Sequence, residues 1–439
     1  MSRLALDFSK PIAEMKVMHA VNNGPCVAGN QQTRGNSIKY AEARFPYARN
    51  HDASFFAGYG GEHTVDIHAI FPNFSADEND PESYDFAMTD QYLKQTLDCG
   101  TMPFYRLGTK IEHGVKKYGS RVPADFLKWA RICEHIIRHY NEGWAQGFQY
   151  GIEYWEIWNE PDLINDDGTS PCWQGTEEQF AELYCVASKH LKKCFPDLKI
   201  GGPASVGDEE WMSRFLQRTK ASSAPIDFFS YHWYWTEPKD MSAKCTRVRR
   251  LLNTFGYINT EAVLDEWNYV RGWTDDFIYS IEQIIGMKGA AFYAACMLEC
   301  QNNPDIDMLM YYDARPGAFN GLFDFYTYRP LKGYYAFCRF ADLYELKDQY
   351  YSLSDDEDIY AVCANNGKRS ALMLTYYAED DSKPDIKELI IEVNDNRLDG
   401  ASVFITDAEK SNELLADALV TDGRLTLNLK RNSIIYIEK

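Results

Sequence analysis

The sequence lacks what a membrane, a disulfide or a nucleic-acid partner would require. No stretch approaches the roughly 20 apolar residues of a spanning helix. The opening residues, Met1 to Lys16, hold no apolar run behind a basic one, so no secretory leader is expected. The 11 cysteines are odd in number and form no C-x-x-C pair. Cys133, Cys185 and Cys296 sit inside apolar helical patterns, as small buried hydrophobes do. Positive charge is scarce, with 45 Lys and Arg against 65 Asp and Glu and a formal net charge of -20. That field repels phosphate backbones and anionic lipid, which argues against nucleic acid and membranes as partners. Internal repeats and low-complexity linkers are missing too. Together these absences predict a reduced, cytoplasmic protein, although a secreted chain trimmed of its leader reads the same.

What is present is an alternation of short apolar strands and amphipathic helices. Strands are expected at Lys16–Val21, Thr64–Ile70, Met102–Leu107, Tyr154–Trp158, Lys199–Gly202, Phe228–His232, Ala262–Glu266 and Met308–Tyr312. Between most of them, apolar residues recur at helical spacing. Asp125–Tyr140 is the clearest case, with Phe126, Trp129, Ile132, Cys133, Ile136 and Ile137 on one face. Thr176 opens another helix, with Gln179 at capping-box spacing. Eight strand-then-helix units fit a (β/α)8 TIM barrel over residues 15–345 better than an open doubly wound sheet. After about Leu346 the pattern becomes short alternating strands separated by turn residues, such as Asn365-Asn366-Gly367. This predicts a small antiparallel β-sandwich over 346–439, to which residues 1–14 add a strand.

Two acidic strand ends carry the chemistry. Tyr154-Trp-Glu-Ile-Trp-Asn-Glu160-Pro-Asp162 reads as a buried strand running into a Pro-terminated turn. In a TIM barrel the C-terminal strand ends hold the reacting groups, which places Glu160 at the rim of strand four. Trp155 and Trp158 are expected to desolvate it and raise its pKa, as a general acid requires. The competing reading makes Asn-Glu-Pro a plain helix N-terminus. Ala262-Val-Leu-Asp-Glu266-Trp-Asn-Tyr269 ends strand seven, across the mouth. Strand alternation would let only one of Asp265 and Glu266 face inward; Glu266 is chosen and Asp265 is the fallback. A pair of carboxylates at one mouth can hydrolyse an acetal, one protonating the leaving oxygen and the other meeting the anomeric carbon.

These motifs resemble the clan-A retaining glycoside hydrolases. The segment from Tyr154 to Asp162 is similar to glycoside hydrolase family 39, which holds β-xylosidases and α-L-iduronidases. His19-Ala-Val-Asn-Asn-Gly-Pro25 at strand one and Tyr231-His-Trp-Tyr234 at strand six add looser support. The resemblance implies Glu160 as acid/base, Glu266 as nucleophile, and Asn159 as a contact to the hydroxyl beside the anomeric centre. It implies a retaining mechanism without cofactor or metal, acting on an oligosaccharide or glycoside. An exo-acting β-xylosidase on short oligosaccharides is the expected activity. An arabinoside, a uronide or a released disaccharide are the alternatives, and a non-catalytic sugar-binding barrel is the rival of another class. The segment Cys26–Phe56, with Arg34, Arg44, Tyr47, Arg49 and His51, departs from the pattern and reads as a polar insertion.

Other residues are weighed by position. His19 and His232 fall at strand ends where sugar hydroxyls would sit. Arg106, ending strand three, is placed to keep the nucleophile anionic, against a plain salt bridge inside the barrel. Trp173, Tyr234 and Trp235 are candidate sugar platforms, and Tyr312 ends strand eight. Arg315 is placed to read a carboxylate if the substrate is a uronide, against the favoured reading of a plain surface role. His63, Asp66 and His68 invite a metal reading, but alternation splits them between faces, and no metal site is expected.

Overall fold

The computed structural model describes residues 1–26, 35–52, 64–416 and 418–439. Eight parallel strands close into a barrel: Val17–Asn22, Tyr47–Arg49, Met102–Leu107, Tyr154–Ile157, Lys199–Ser205, Phe228–Trp235, Glu261–Tyr269 and Met308–Tyr311. The outward-facing residues pack beneath helices that begin where the sequence signals them. Asp125 caps Phe126–Asn141 by accepting from Lys128 N, and Thr176 and Gln179 close the full capping box on Glu177–Cys194. The barrel is thus borne out, and seven of its strands lie at the expected places.

The second strand is the exception. The alternating residues at 64–70 do not form it; Ile67–Ile70 is a single helical turn instead. Its place is taken by Tyr47–Arg49, inside the segment read as an insertion. Three residues are too few to show a period. The inward residue Arg49 is also charged, so no apolar alternation marks the strand. The remainder of that segment lies partly outside the described residues, as do Arg34 and His63.

Inward residues stack in layers. Ala20, Phe104, Tyr154, Phe228, Val263, Met308 and Met310 form an apolar floor. Above it the next inward positions, Asn22, Arg49, Glu156, Ser230 and Asp265, are polar and wholly buried. The chemistry therefore sits on a dry base towards the C-terminal end of the strands.

The second sheet has nine strands, in the order Glu413–Leu414, Ser402–Thr406, Ser433–Glu438, Ser370–Tyr376, Ile359–Asn365, Asp348–Ser354, Ser2–Glu14, Ile386–Val393 and Arg424–Lys430. All neighbours are antiparallel except Ser2–Glu14 with Ile386–Val393. The sheet curls so that Leu425 and Leu429 from one end share a core with Val403 and Ile437 from the other. Its opposite face, including Tyr360, Val362, Met373 and Tyr436, joins the barrel core. A loop of this sheet also reaches the barrel mouth, where Tyr377 donates to the Thr236 carbonyl (2.6 Å) and Glu379 accepts from Tyr269 (2.9 Å).

The strand Ser2–Glu14 sends Leu4, Leu6 and Phe8 into the sheet core. Leu6→Ala should therefore lower the unfolding free energy by about 2–5 kcal/mol, read from the denaturant midpoint. An unmoved midpoint would show that this strand adds nothing to the core.

Candidate active site

Arg49 organises the barrel mouth. Its side chain is wholly buried, with Nε 2.6 Å from Glu156 Oε2 and 3.0 Å from Asp265 Oδ2. Nη1 lies 2.7 Å from Glu266 Oε1, and Nη2 donates to Asn159 Oδ1 at 2.6 Å. Burial works against the guanidinium charge, but Glu156, Asp265 and Glu266 together hold its pKa above the ordinary value. The structure gives this position to Arg49 rather than to Arg106. Arg106 instead pairs with Asp66 (2.6 Å) and donates to the His51 carbonyl (2.8 Å).

Asp265 and Glu266 both face inward. The pairing of strands six and seven shifts between Tyr231/Leu264 and His232/Glu266, a bulge that breaks the alternation assumed from sequence. Glu266 accepts from Tyr234 through Oε2 at 2.7 Å. Burial raises its pKa, while Arg49 and the Tyr234 hydroxyl oppose the rise.

Glu160 follows strand four in a left-handed conformation (φ 46°), as does Trp158 (φ 78°). Such backbone is costly for side chains with a Cβ and persists where the surroundings impose it. The turn carries the Glu160 carboxyl to His232, whose Nδ1 lies 2.7 Å from Oε1. The same nitrogen is 3.5 Å from Glu266 Oε2. Oxygens of Glu160 and Glu266 and a nitrogen of His232 all lie within 4.8 Å of one another. Burial pushes Glu160 up to about 7, with Arg49 opposing and Asp52 adding to the rise. Burial also lowers His232 to about 4, so its ring is neutral near pH 7. A neutral imidazole beside a protonated carboxyl can accept its hydrogen bond.

The rings expected to desolvate Glu160 do not face it. Trp155 stacks on Tyr105 outside the barrel, and Trp158 meets Trp173 edge-on at 5.1 Å. Trp173 itself is buried there, its Nε1 donating to the Thr176 carbonyl, and is not a platform at the mouth. His19 is also outside the site. Ala20 and Asn22 take the inward positions, which leaves His19 packed against Phe340 and Tyr344 of the last barrel helix.

Tyr234 and Tyr312 do reach the mouth, with ring centroids 6.4 Å apart. Tyr234 meets Trp273 edge-on at 5.2 Å, and Trp273 is 58% exposed at the rim. Trp235 stacks on Trp233 and donates to Asp240. Tyr312 donates to Asp52, and the Arg315 guanidinium donates to the Asp52 carbonyl at 2.7 Å. Arg315 also lies 3.5 Å from Asp313, which accepts from Asn23. Sequence reasoning missed Glu156 and Asp52 as members of the mouth, and gave Arg49 to an insertion instead of a barrel strand. The only trace of Arg49 was the short run Phe45–Ala48 leading into it.

Residues 58–265 match the family described as Glycosyl hydrolases family 39. A curated "Beta-xylosidase" of Geobacillus stearothermophilus is 27% identical over 218 residues, covering 42% of this chain and 41% of that protein. The aligned part thus spans well under half of this relative. Among solved structures, a glucosidase from Croceicoccus marinus superposes with a TM-score of 0.81 at 22% identity, over 100% of this chain and 98% of that one. A monomeric β-xylosidase from Caulobacter crescentus gives 0.72 at 16% identity, over 100% and 99%. The resemblance to family 39 is borne out by the family match, and the barrel with its appended sheet by the structural likeness.

Removing the Arg49 charge leaves the buried carboxyls without their cation. Arg49→Met should destabilise the fold by about 3–5 kcal/mol, read by chemical denaturation. Stability within about 1 kcal/mol of the parent would show that these carboxyls do not depend on Arg49.

Proposed function

We propose that the chain is a retaining glycoside hydrolase in which Glu266 is the nucleophile and Glu160 the acid/base. The observation that carries this reading is the approach of one Glu160 oxygen to within 4.8 Å of one Glu266 oxygen. Retaining enzymes hold their carboxyls about 5–5.5 Å apart, and inverting ones about 6.5–9.5 Å. In the first step Glu160 protonates the departing oxygen while Glu266 attacks the anomeric carbon, forming a glycosyl ester. Glu160, now a carboxylate, takes a proton from water as it displaces Glu266. Asn159, held by Arg49, presents its amide to the adjacent hydroxyl. No step calls for a metal or cofactor.

The substrate proposed is a short xylo-oligosaccharide cleaved from one end. The xylosidase names among the similar proteins support the sugar. The depth of the carboxyls, with Glu160 and Glu266 only 7% and 5% exposed, supports a closed pocket and hence an exo mode. The uronide alternative is disfavoured by Arg315, whose charge is already balanced by Asp313 and by the nearby Asp52. A mouth rich in carboxyls repels a further carboxylate, so a neutral sugar fits better. A purely sugar-binding barrel would have no use for two buried carboxyls held this close together.

Hydrolysis of aryl glycosides of xylose, arabinose, glucose, galactose and uronic acids, in both anomers, tests the reading. The β-xyloside should turn over fastest, and a fully inactive panel would count against the sugar and the exo mode together. Because Glu160 must be protonated, kcat/KM should fall as pH rises through about 7. Glu266 must be ionised, so activity should also fall on the acid side, at a pH above the ordinary Glu value of about 4.3. A profile flat across this range would remove both groups from their roles. Glu266→Ala should abolish turnover and regain it with azide, giving a product of inverted anomer. Glu160→Ala should spare substrates with good leaving groups, which need little protonation; equal losses for good and poor leaving groups would exclude the acid role.

A further inference from the structure

Beneath the proposed nucleophile lies a carboxyl pair that the reaction does not use. Asp265 is the extra residue of the strand-seven bulge, which turns it into the barrel beside Glu266. Glu156 approaches it from strand four, and both side chains are completely buried. One guanidinium serves them. Arg49 Nε lies closer to Glu156 (2.6 Å) than to Asp265 (3.0 Å), and its other nitrogens are committed to Glu266, Asn22 and Asn159.

Of the remaining neighbours, Ser230 turns its hydroxyl to Glu156, and none supplies a donor to the Asp265 carboxyl. Asn22 sends its amide to the Asp265 backbone carbonyl at 2.6 Å, not to the carboxyl. His232 Nε2 stands 3.6 Å from Asp265 Oδ1, too far for a direct bond. Among the described residues, no well-aligned donor meets either Asp265 oxygen or Glu156 Oε1. Yet Asp265 Oδ2 and Glu156 Oε2 converge on one nitrogen, Arg49 Nε, at 3.0 and 2.6 Å, which brings the two carboxyls side by side. Two carboxyls can bond only through a proton they share. With all three carboxyls around Arg49 ionised, the buried group would hold two uncompensated negative charges. One retained proton leaves a single excess charge, which vanishes when Glu266 becomes an ester.

We infer that Asp265 is a positioning residue: it donates its proton to Glu156, so that the pair offers Arg49 one negative charge and balances it in the glycosyl-enzyme. Burial favours the neutral acid at Asp265, with Glu156 adding to the push and Arg49 opposing it. At Glu156, burial is outweighed by Arg49 and by the bonds from Asp265 and Ser230, which hold it below the ordinary range. The inference rests on Glu266 being the nucleophile.

Infrared difference spectra of the whole protein test the proton without needing turnover. At about pH 9, far above the ordinary carboxyl range, the parent should keep a carboxylic-acid C=O band that D265N lacks. E160Q should remove a different band, one that titrates near 7. Kinetics test the positioning. D265L has no donor, so Glu156 should draw more of the Arg49 charge away from Glu266. Its kcat should fall about tenfold with KM held, and the acid limb of its profile should move up. D265N still offers an N–H to Glu156 and should return the acid limb to its parental place. A parent without the alkaline acid band, or a D265N acid limb displaced by about one pH unit, would overturn the inference. If neither variant folds, the parental band against that of E160Q decides. Inactivity of the parent on every glycoside would sink the enzymatic reading but leave the band in place.

Discussion

A single buried guanidinium sets the terms for this barrel. Arg49 stands on a strand of three residues and must satisfy carboxyls from strands four and seven at once. Moving a cation into a dry interior is expensive, and only close pairing with good geometry offsets it. That requirement explains several otherwise unrelated features. Asn22 and Asn159 face the same point because the guanidinium has more donors than the carboxyls absorb. The strand-seven bulge is needed because regular alternation would turn either Asp265 or Glu266 away. The apolar floor below keeps water from competing for these bonds.

The same burial produces two different carboxyls from one residue type. Glu160 and Glu266 are both enclosed, so desolvation pushes both towards the neutral acid. Their donors differ. Glu266 receives Arg49 and the Tyr234 hydroxyl, whereas Glu160 meets an imidazole that is itself neutral. Donors aimed at a charge stabilise that charge, and a neutral partner does not. The asymmetry the proposed roles require is therefore built by neighbours, not by depth.

Much of this architecture was legible in the sequence because buried parallel strands read as apolar runs and helices as periodic faces. Strands four and seven announced themselves through an apolar run ending in acid, which is why Glu160 and Glu266 could be named. Strand two could not be read, since three residues carry no period and its inward side chain is charged. Its loss displaced the role of Arg49 onto Arg106. His19 and Trp173 were misplaced for a related reason. Position near a strand end does not say which face a side chain takes, and one residue of register moves it from the mouth to the helix layer. The bulge at Asp265 left no local sign, as it follows from what Arg49 must reach.

The strand Ser2–Glu14 also bears on how the molecule comes into being. Its partners, Asp348–Ser354 and Ile386–Val393, are made more than three hundred residues later. At ordinary ribosomal rates of about 5–20 residues per second, that delay is on the order of tens of seconds. Throughout it, Leu4, Leu6 and Phe8 have no sheet to enter, while the barrel strands emerge and can close. A segment made before the barrel is thus among the last to find its place. Until then it is an unpaired edge of the kind that chaperones shield during synthesis.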